Sequence, residues 1–310
     1  MRILVVGAGA VGGYFGGRMA LAGQDVTFLV REARARELAA NGLVIKSPRG
    51  DATLSEVKTV LSSQIDAPYD LVLLSCKAYD LDSAMASFAP AVGPSTTILP
   101  LLNGMRHLDV LRNRFGNASV LGGVCLIAAT LDASRAIVQM TNMHAIVFGE
   151  LDGTKSARVE AIAGALRSGG FDVEAIDAIV QQMWEKWVFL ATLAGSTCLF
   201  RASVGEILSA PGGEAAMRAL FDECASVAAE HGHAMREPFA ERSRAMLFAP
   251  GSSLTASMLR DIENGLRTEG DHVLGDLLAR LRAEKPTDAA PTLLELAYTH
   301  VKAYEARHGR

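Results

Sequence analysis

The sequence predicts two folded parts, an α/β domain with a parallel sheet over residues 1–175 and an all-helical domain over residues 176–310. Short charge-free runs of Ile, Leu and Val alternate with helical segments through the first part, the pattern of strands buried on both faces by crossover helices. Beyond Asp177 no strand-like run appears and helical segments follow one another. A length of 310 residues suits about two domains.

The first strand is 3–6 (ILVV). The loop Gly7-Ala8-Gly9-Ala10-Val11-Gly12 follows with the spacing G-x-G-x-x-G. Gly7 permits the tight turn, Gly9 lets a pyrophosphate approach the backbone, and Gly12 lets the next helix pack closely on the sheet. That helix spans 11–22 and stops at Gly23, with its first-turn N–H groups aimed at the phosphates. Residues 25–30 form the second strand. The glycine spacing alone is weak evidence, because glycines also mark ordinary turns. A strand before it, a helix after it and a second strand at βαβ distance make it a Rossmann-type dinucleotide-binding element. The residue after the second strand selects the cofactor. An arginine there accommodates the 2′-phosphate of NADP, and an acid there binds the ribose hydroxyls of NAD. Arg31 comes first, with Arg34 and Arg36 close behind, so NADP(H) is expected; Glu32 pointing inward would favour NAD. Arg36 belongs to a solvated helix face.

The alternation continues with a helix over 33–40, an Asn41-Gly42 turn, and strands over 43–46 and 54–61 around Ser47-Pro48-Arg49-Gly50. A strand over 70–75 ends in Cys76-Lys77-Ala78-Tyr79, a helix spans 81–88, and a strand over 96–99 ends in Pro100-Leu101-Leu102-Asn103-Gly104. Lys77 and Asn103 thus fall beyond the carboxyl ends of strands, where ligands bind in such sheets. Runs 120–130, 135–141 and 144–149 read as an antiparallel meander added to the sheet, before a helix over 156–166 and a strand over 171–175. The second part reads as helices over 179–199, 211–231, 238–248, 256–282 and 292–306.

Composition narrows the function. The chain is 50% hydrophobic with a net charge of −4, which gives no reason to expect nucleic acid or an anionic membrane surface as partner. No apolar run reaches the ~20 residues that span a bilayer, and the chain opens directly on its first strand, so neither a membrane segment nor a signal peptide is expected. The four cysteines, Cys76, Cys125, Cys198 and Cys224, are widely spaced and read as buried free thiols in a reducing, cytoplasmic compartment. No metal motif is present; His231 and His233 lack a third ligand and read as surface histidines. Apolar Leu293, Leu294 and Ala297 fit either core or a homodimer face, so oligomeric state stays open.

Two polar stretches could carry chemistry. Trp184-Glu185-Lys186-Trp187 opens a segment with no charge from Trp187 to Phe200, a helix apolar all round and therefore buried. Lys186 sits at its edge, where desolvation lowers an amine's pKa and suits it to proton transfer. From position alone a lysine snorkelling to solvent between two tryptophans is the commoner case. In the second stretch Ser257, Asp261, Asn264 and Thr268 are spaced to share one helical face, which can line a cleft or face solvent.

Taken together, GAGAVGGYFGG, Arg31, Lys77 in LLSCKAYD, Asn103 in LPLLNGM, Lys186 in MWEKW and SMLRDIENGLRTEGDHVLGDL resemble the ketopantoate reductase (2-dehydropantoate 2-reductase) family over nearly the whole chain. The resemblance implies a Rossmann domain joined to a helical domain of the 6-phosphogluconate dehydrogenase C-terminal type, an active site in the cleft between them, and reduction of a 2-oxo acid by NADPH. It implies Lys186 as the general acid, Glu269 beside it, Asn103 and Lys77 lining the cofactor and carbonyl side, Ser257 at the substrate carboxylate and Arg31 at the 2′-phosphate. This is coherent chemistry: hydride addition places negative charge on the carbonyl oxygen, and a nearby cation stabilises it and then protonates it. The departures concern the substrate. The family's asparagines one and two turns past the lysine are Leu190 and Ala194 here, and two more are Val204 and Leu254. A more apolar wall pairs a hydroxyl and a carboxylate less well, so a less polar 2-oxo or 2-hydroxy acid, or another carbonyl compound, is expected. Ketopantoate itself, in pantothenate synthesis, is the runner-up if Thr192, Ser196 and Thr197 substitute for the asparagines. A non-catalytic NADP(H) sensor, an NAD-linked 2-hydroxy-acid dehydrogenase and an opine or 6-phosphogluconate-type dehydrogenase are the remaining readings.

Overall fold

The computed structural model of the chain describes residues 1–283 and 290–309. It contains two compact units: Met1–Leu102 with His107–Val180, and Asn103–Arg106 with the chain from Gln181 onward.

The first unit begins β1 (Arg2–Val6), α1 (Ala10–Leu21), β2 (Asp25–Leu29), α2 (Glu32–Asn41), β3 (Leu43–Lys46), β4 (Ala52–Leu54), β5 (Thr59–Val60), β6 (Leu71–Leu74), α3 (Leu81–Phe88), β7 (Thr97–Pro100) and α4 (Arg106–Phe115). It closes with β8 (Gly122–Leu131), β9 (Ile137–Gly149), α5 (Ala157–Arg167) and β10 (Asp172–Ala175). One sheet is wholly parallel in the order β5-β2-β1-β6-β7. Its central strand is sealed on both faces: Ile3, Leu4 and Val5 are completely buried, as their charge-free run requires.

Three sequence expectations change here. The run 54–61 is two strands, because β4 turns back antiparallel onto β3 while β5 runs parallel to β2. The antiparallel meander is a single hairpin of β8 and β9, and it belongs to a second sheet with β10, β3 and β4 rather than to the first. Between its pairs Ile127↔His144 and Ala129↔Gln139, β9 carries extra residues in a bulge, which exposes Met140 and Met143 and gave the sequence its apparent strand break. Helix α4 was not foreseen at all: its few apolar residues, Leu108 and Leu111 among them, are buried along one side of an otherwise charged segment.

The second unit consists of helices. Elements α6 (Ile179–Phe200), α7 (Val204–Ser209), α8 (Gly213–Glu230), α9 (Glu237–Leu247), α10 (Ser257–Glu263), α11 (Asp276–Ala283) and α12 (Leu293–Arg307) follow in order, with a π-helical turn at Asp271–Gly275. Helix α6 is the core, with Trp187, Val188, Ala191, Thr192, Thr197 and Cys198 all at most 1% exposed. Gly195 permits close approach, since a Cβ there would lie 2.9 Å from Leu220 and 3.5 Å from Ala297. Leu294 and Ala297 are core residues of this packing. The expected single helix over 256–282 is broken. Gly265, at φ +63°, ends α10, and Thr268 turns inward to donate a 2.6 Å hydrogen bond to Glu305. Ser257 and Asp261 share a face of α10, but Asn264 caps that helix and Thr268 lies beyond it, so the four do not share one helical face. Among the described residues no helix is long and apolar enough to cross a membrane.

Candidate active site

In the first unit, β1 delivers the chain into the glycine loop at φ +94° for Gly7, a conformation that disfavours any side chain. A Cβ on Gly12 would sit 2.1 Å from Ser75 Oγ and 2.3 Å from the Gly7 carbonyl oxygen, so only glycine lets α1 start this close to the sheet. Ser75 locks the crossing by donating to the Val6 carbonyl at 2.9 Å. Above Gly9 a Cβ would meet nothing within 4 Å, which leaves open space against the backbone. Helix α1 has no side-chain N-cap and no acid in its first turn, so its first N–H groups keep their positive field for an anion. A pyrophosphate fits a cradle of this shape and charge. Ala8, Ala10 and Val11 supply the loop's remaining backbone.

Two arginines behind the loop divide the work. Arg34 is nearly buried and donates to the Ala8 carbonyl from Nη2 at 2.9 Å; it also pairs with Glu37, which Arg135 holds at 2.8 Å. Burial lowers the Arg34 pKa. Its part is to brace the loop, a role the sequence did not show. Arg31 is 81% exposed and reaches Asp80 at 3.4 Å. Glu32 faces solvent with Arg36 at 3.9 Å rather than turning inward. Lys77 is exposed, immediately before a 3-10 turn at Ala78–Asp80 that follows β6.

In the second unit, Lys186 is part-buried while its neighbour Glu185 is fully buried. Glu185 accepts from Arg236 through Nε at 2.8 Å, Nη2 at 2.6 Å and the backbone N–H at 2.9 Å. Burial alone would raise this carboxyl's pKa, but the Arg236 and Gln181 hydrogen bonds outweigh it and hold it below the ordinary value. The Trp184 ring packs against His231 and His233, with centroids 5.4 Å from each, so these histidines are part-buried partners of an indole rather than freely exposed groups. Trp187 donates its indole N–H to the Val273 carbonyl at 2.8 Å, which fixes the turn of α6 that carries Lys186 against the π-helical turn.

That same turn gathers two further predicted residues. Glu269 precedes it, and its carbonyl accepts from the backbone N–H groups of His272 at 3.1 Å and Val273 at 2.9 Å. Asn103 and Gly104 lie against it: the His272 imidazole hydrogen-bonds the Asn103 main chain, and a Cβ on Gly104 would be 2.8 Å from the His272 carbonyl. Asn103 and Glu269 are both part-buried; Ser257 is exposed at the first position of α10. The sequence reading missed His272 and Glu185. A lone histidine and an acid beside a lysine carry no spacing signal.

The proposed substrate wall divides. Val204 and Ala194 are buried at 0% and 5% exposure, whereas Leu190 and Leu254 keep some surface. The hydroxyls that could replace the missing amides are committed or enclosed. Thr192 donates to Val188 at 2.9 Å, Thr197 donates to Leu193 at 2.7 Å, and Ser196 is 1% exposed. Cys125, Cys198 and Cys224 are buried and in no disulfide, the latter two thiols pushed up to about 12 by burial, and Cys76 is only part-buried.

Comparison with known proteins agrees with this division of the chain. The family profile described as ketopantoate reductase PanE/ApbA matches residues 3–153, and its C-terminal counterpart matches residues 178–305. An uncharacterized oxidoreductase, YkpB of Bacillus subtilis, is 37% identical over 99% of both chains. A 2-dehydropantoate 2-reductase of Archaeoglobus fulgidus is 30% identical over 90% of both. The crystal structure of a PanE/ApbA family ketopantoate reductase from Ralstonia eutropha superposes with a TM-score of 0.88 over all of both chains at 24% identity, which speaks to the fold. A phosphate-ready glycine loop in one unit, a lysine helix pinned to a polar turn in the other, and family matches over both identify the chain as an oxidoreductase that belongs to the ketopantoate reductase family.

Proposed function

We propose that this protein is an NADPH-dependent reductase of a 2-oxo acid less polar than ketopantoate. The observation that carries the reading is the convergence of Asn103, Glu269 and the Lys186 turn of α6 on the single turn Asp271–Gly275. Cofactor binding alone requires neither Lys186 nor Glu269. The bound nicotinamide supplies hydride to the carbonyl carbon. Lys186 donates the proton to the carbonyl oxygen, and its charge stabilises that oxygen as negative charge develops. Glu269 holds the lysine and substrate in place, Asn103 and Lys77 line the carbonyl side, and Ser257 meets the carboxylate. The backbone of Gly7–Gly12 carries the pyrophosphate. Arg31, presented to solvent while Glu32 is turned onto Arg36, supports NADPH over NADH. The committed hydroxyls of Thr192 and Thr197 support the less polar substrate.

The test is oxidation of NADPH, with NADH in parallel, against a panel of 2-oxo acids of graded polarity including ketopantoate. The expected outcome is a preference for an apolar side chain, with Lys186→Ala losing about 10²- to 10⁴-fold in kcat while cofactor affinity holds. A kcat/KM for ketopantoate equal to the best of the panel would overturn the substrate reading. NADPH binding with no turnover of any 2-oxo acid would leave a cofactor-binding sensor in its place.

A further inference from the structure

Between Thr268 and Leu277 the chain neither continues α10 nor begins α11 directly. It makes a π-helical turn, Asp271–Gly275, a wide-turn geometry found disproportionately at functional sites. His272 occupies this turn at 7% exposure. Its backbone N–H donates to the Glu269 carbonyl at 3.1 Å, its ring hydrogen-bonds the Asn103 main chain, and its carbonyl and ring pack where Gly104 has no side chain. Gly104 is at φ +75°, a conformation glycine adopts without strain, and a Cβ there would meet the His272 carbonyl at 2.8 Å and the His272 ring at 3.0 Å, so the loop lies directly against this residue. The next residue, Val273, accepts from the Trp187 indole beside Lys186.

We infer that His272 is a positioning residue, which holds the Asn103–Gly104 loop and the Glu269 backbone in register with the lysine helix. The inference rests on the proposed reductase reading for its catalytic consequence, although the contacts stand without it. The charged groups facing the ring are Glu269 and Asp276, which favour its protonation, and Arg106, which opposes it; burial outweighs them and lowers the pKa, so the ring acts as a neutral donor. A neutral ring keeps one N–H for the Asn103 carbonyl and adds no positive charge to the turn.

The experiment compares His272→Phe, which fills the space without a donor, with His272→Asn and His272→Gln, which place an amide N–H near one or the other ring nitrogen. Hydrogen exchange is measured over residues 103–106 and 269–273, and kinetics are measured on the best 2-oxo acid. In the Phe variant we expect faster exchange in both segments. Its kcat/KM for the 2-oxo acid falls about 10- to 100-fold, with NADPH affinity held within about twofold and the pH profile unmoved on its axis. The better of the two amide variants restores most of both losses. Unchanged exchange in the Phe variant, kcat/KM retained within about twofold, or equal failure of all three variants would each overturn the inference. Loss of a limb of the pH profile would instead make His272 the proton donor. If the wild type reduces no 2-oxo acid, the reductase reading falls, and the exchange measurement still decides whether His272 holds the loop.

Discussion

The two units use their residues in opposite ways. In the first, the proposed pyrophosphate would meet main chain: the glycine loop and the first N–H groups of α1, with side chains such as Ser75 and Arg34 serving as braces from behind. In the second, it would meet side chains, and main chain does the bracing through the carbonyls of Glu269 and Val273. A main-chain site tolerates almost no change in its glycines and wide change around them. A side-chain site depends on buried partners distant in sequence, and one of those, Glu185, is where the largest effect is expected.

Glu185 is fully buried and meets an arginine that is half exposed. Removing one partner of a buried pair costs about 3–5 kcal/mol, and the low end applies because Arg236 can return to water. Glu185→Ala should therefore destabilise the helical unit by about 3 kcal/mol in denaturant titrations. Both tryptophans, Trp184 and Trp187, lie on α6, so indole fluorescence reports on this unit. The pH dependence has a definite sign. The folded carboxyl is held below its ordinary value, so its stabilisation is complete above about pH 4.3 and is lost as pH falls through the lower folded value. The stability gap between wild type and Glu185→Gln should close on acidification. A gap that is constant from neutral pH to below the carboxylate range would show that the pair does not act through charge.

This contrast also explains what could be read in advance. The glycine loop, β1, α1 and α3 were legible because backbone conformation and period are local properties that composition reports. The hairpin β8–β9 was misread because a bulge, set by pairing with a neighbour, looks like a strand end in one chain. Helix 256–282 was misread for a related reason: the inward turn of Thr268 is set by its bond to Glu305 in α12. Among site residues, the glycine loop, Arg31, Lys77 and Asn103 are expected from spacing and strand ends, and the roles of Lys186, Glu269 and Ser257 from family resemblance, whereas the supporting roles of Glu185, His272 and Arg34 carry no local signal because their partners Arg236, Asn103 and Ala8 are brought to them only by folding.

A second, smaller effect tests the main-chain site. Gly12→Ala places a methyl on Ser75 Oγ and the Gly7 carbonyl, and relieving such overpacking costs about 1–3 kcal/mol. The loop, not the helix core, is what must move, so dinucleotide affinity measured by fluorescence titration should fall about tenfold or more. Gly9→Ala meets no atom of the protein, so any loss of affinity there measures the approach of the ligand itself. Equal affinity for all three proteins would mean that the pyrophosphate does not lie on this loop.

The smallest expected effect concerns Arg31, the side chain of the first unit proposed to meet the 2′-phosphate. Arg31 and Asp80 are exposed and 3.4 Å apart, so their pairing contributes under about 1 kcal/mol to folding. Its effect on binding is of the same small order, because a 2′-phosphate on Arg31 would have to displace Asp80 and then lie beside its negative charge. Asp80→Asn should tighten NADPH about two- to fivefold at low salt and leave NADH nearly unchanged, with the difference shrinking as ionic strength rises. Arg31→Ala should remove the preference between the two cofactors. If Asp80→Asn instead weakens NADH while NADPH is unmoved, Asp80 binds the ribose hydroxyls, and this first unit too recognises its ligand through a side chain that folding places beside the loop.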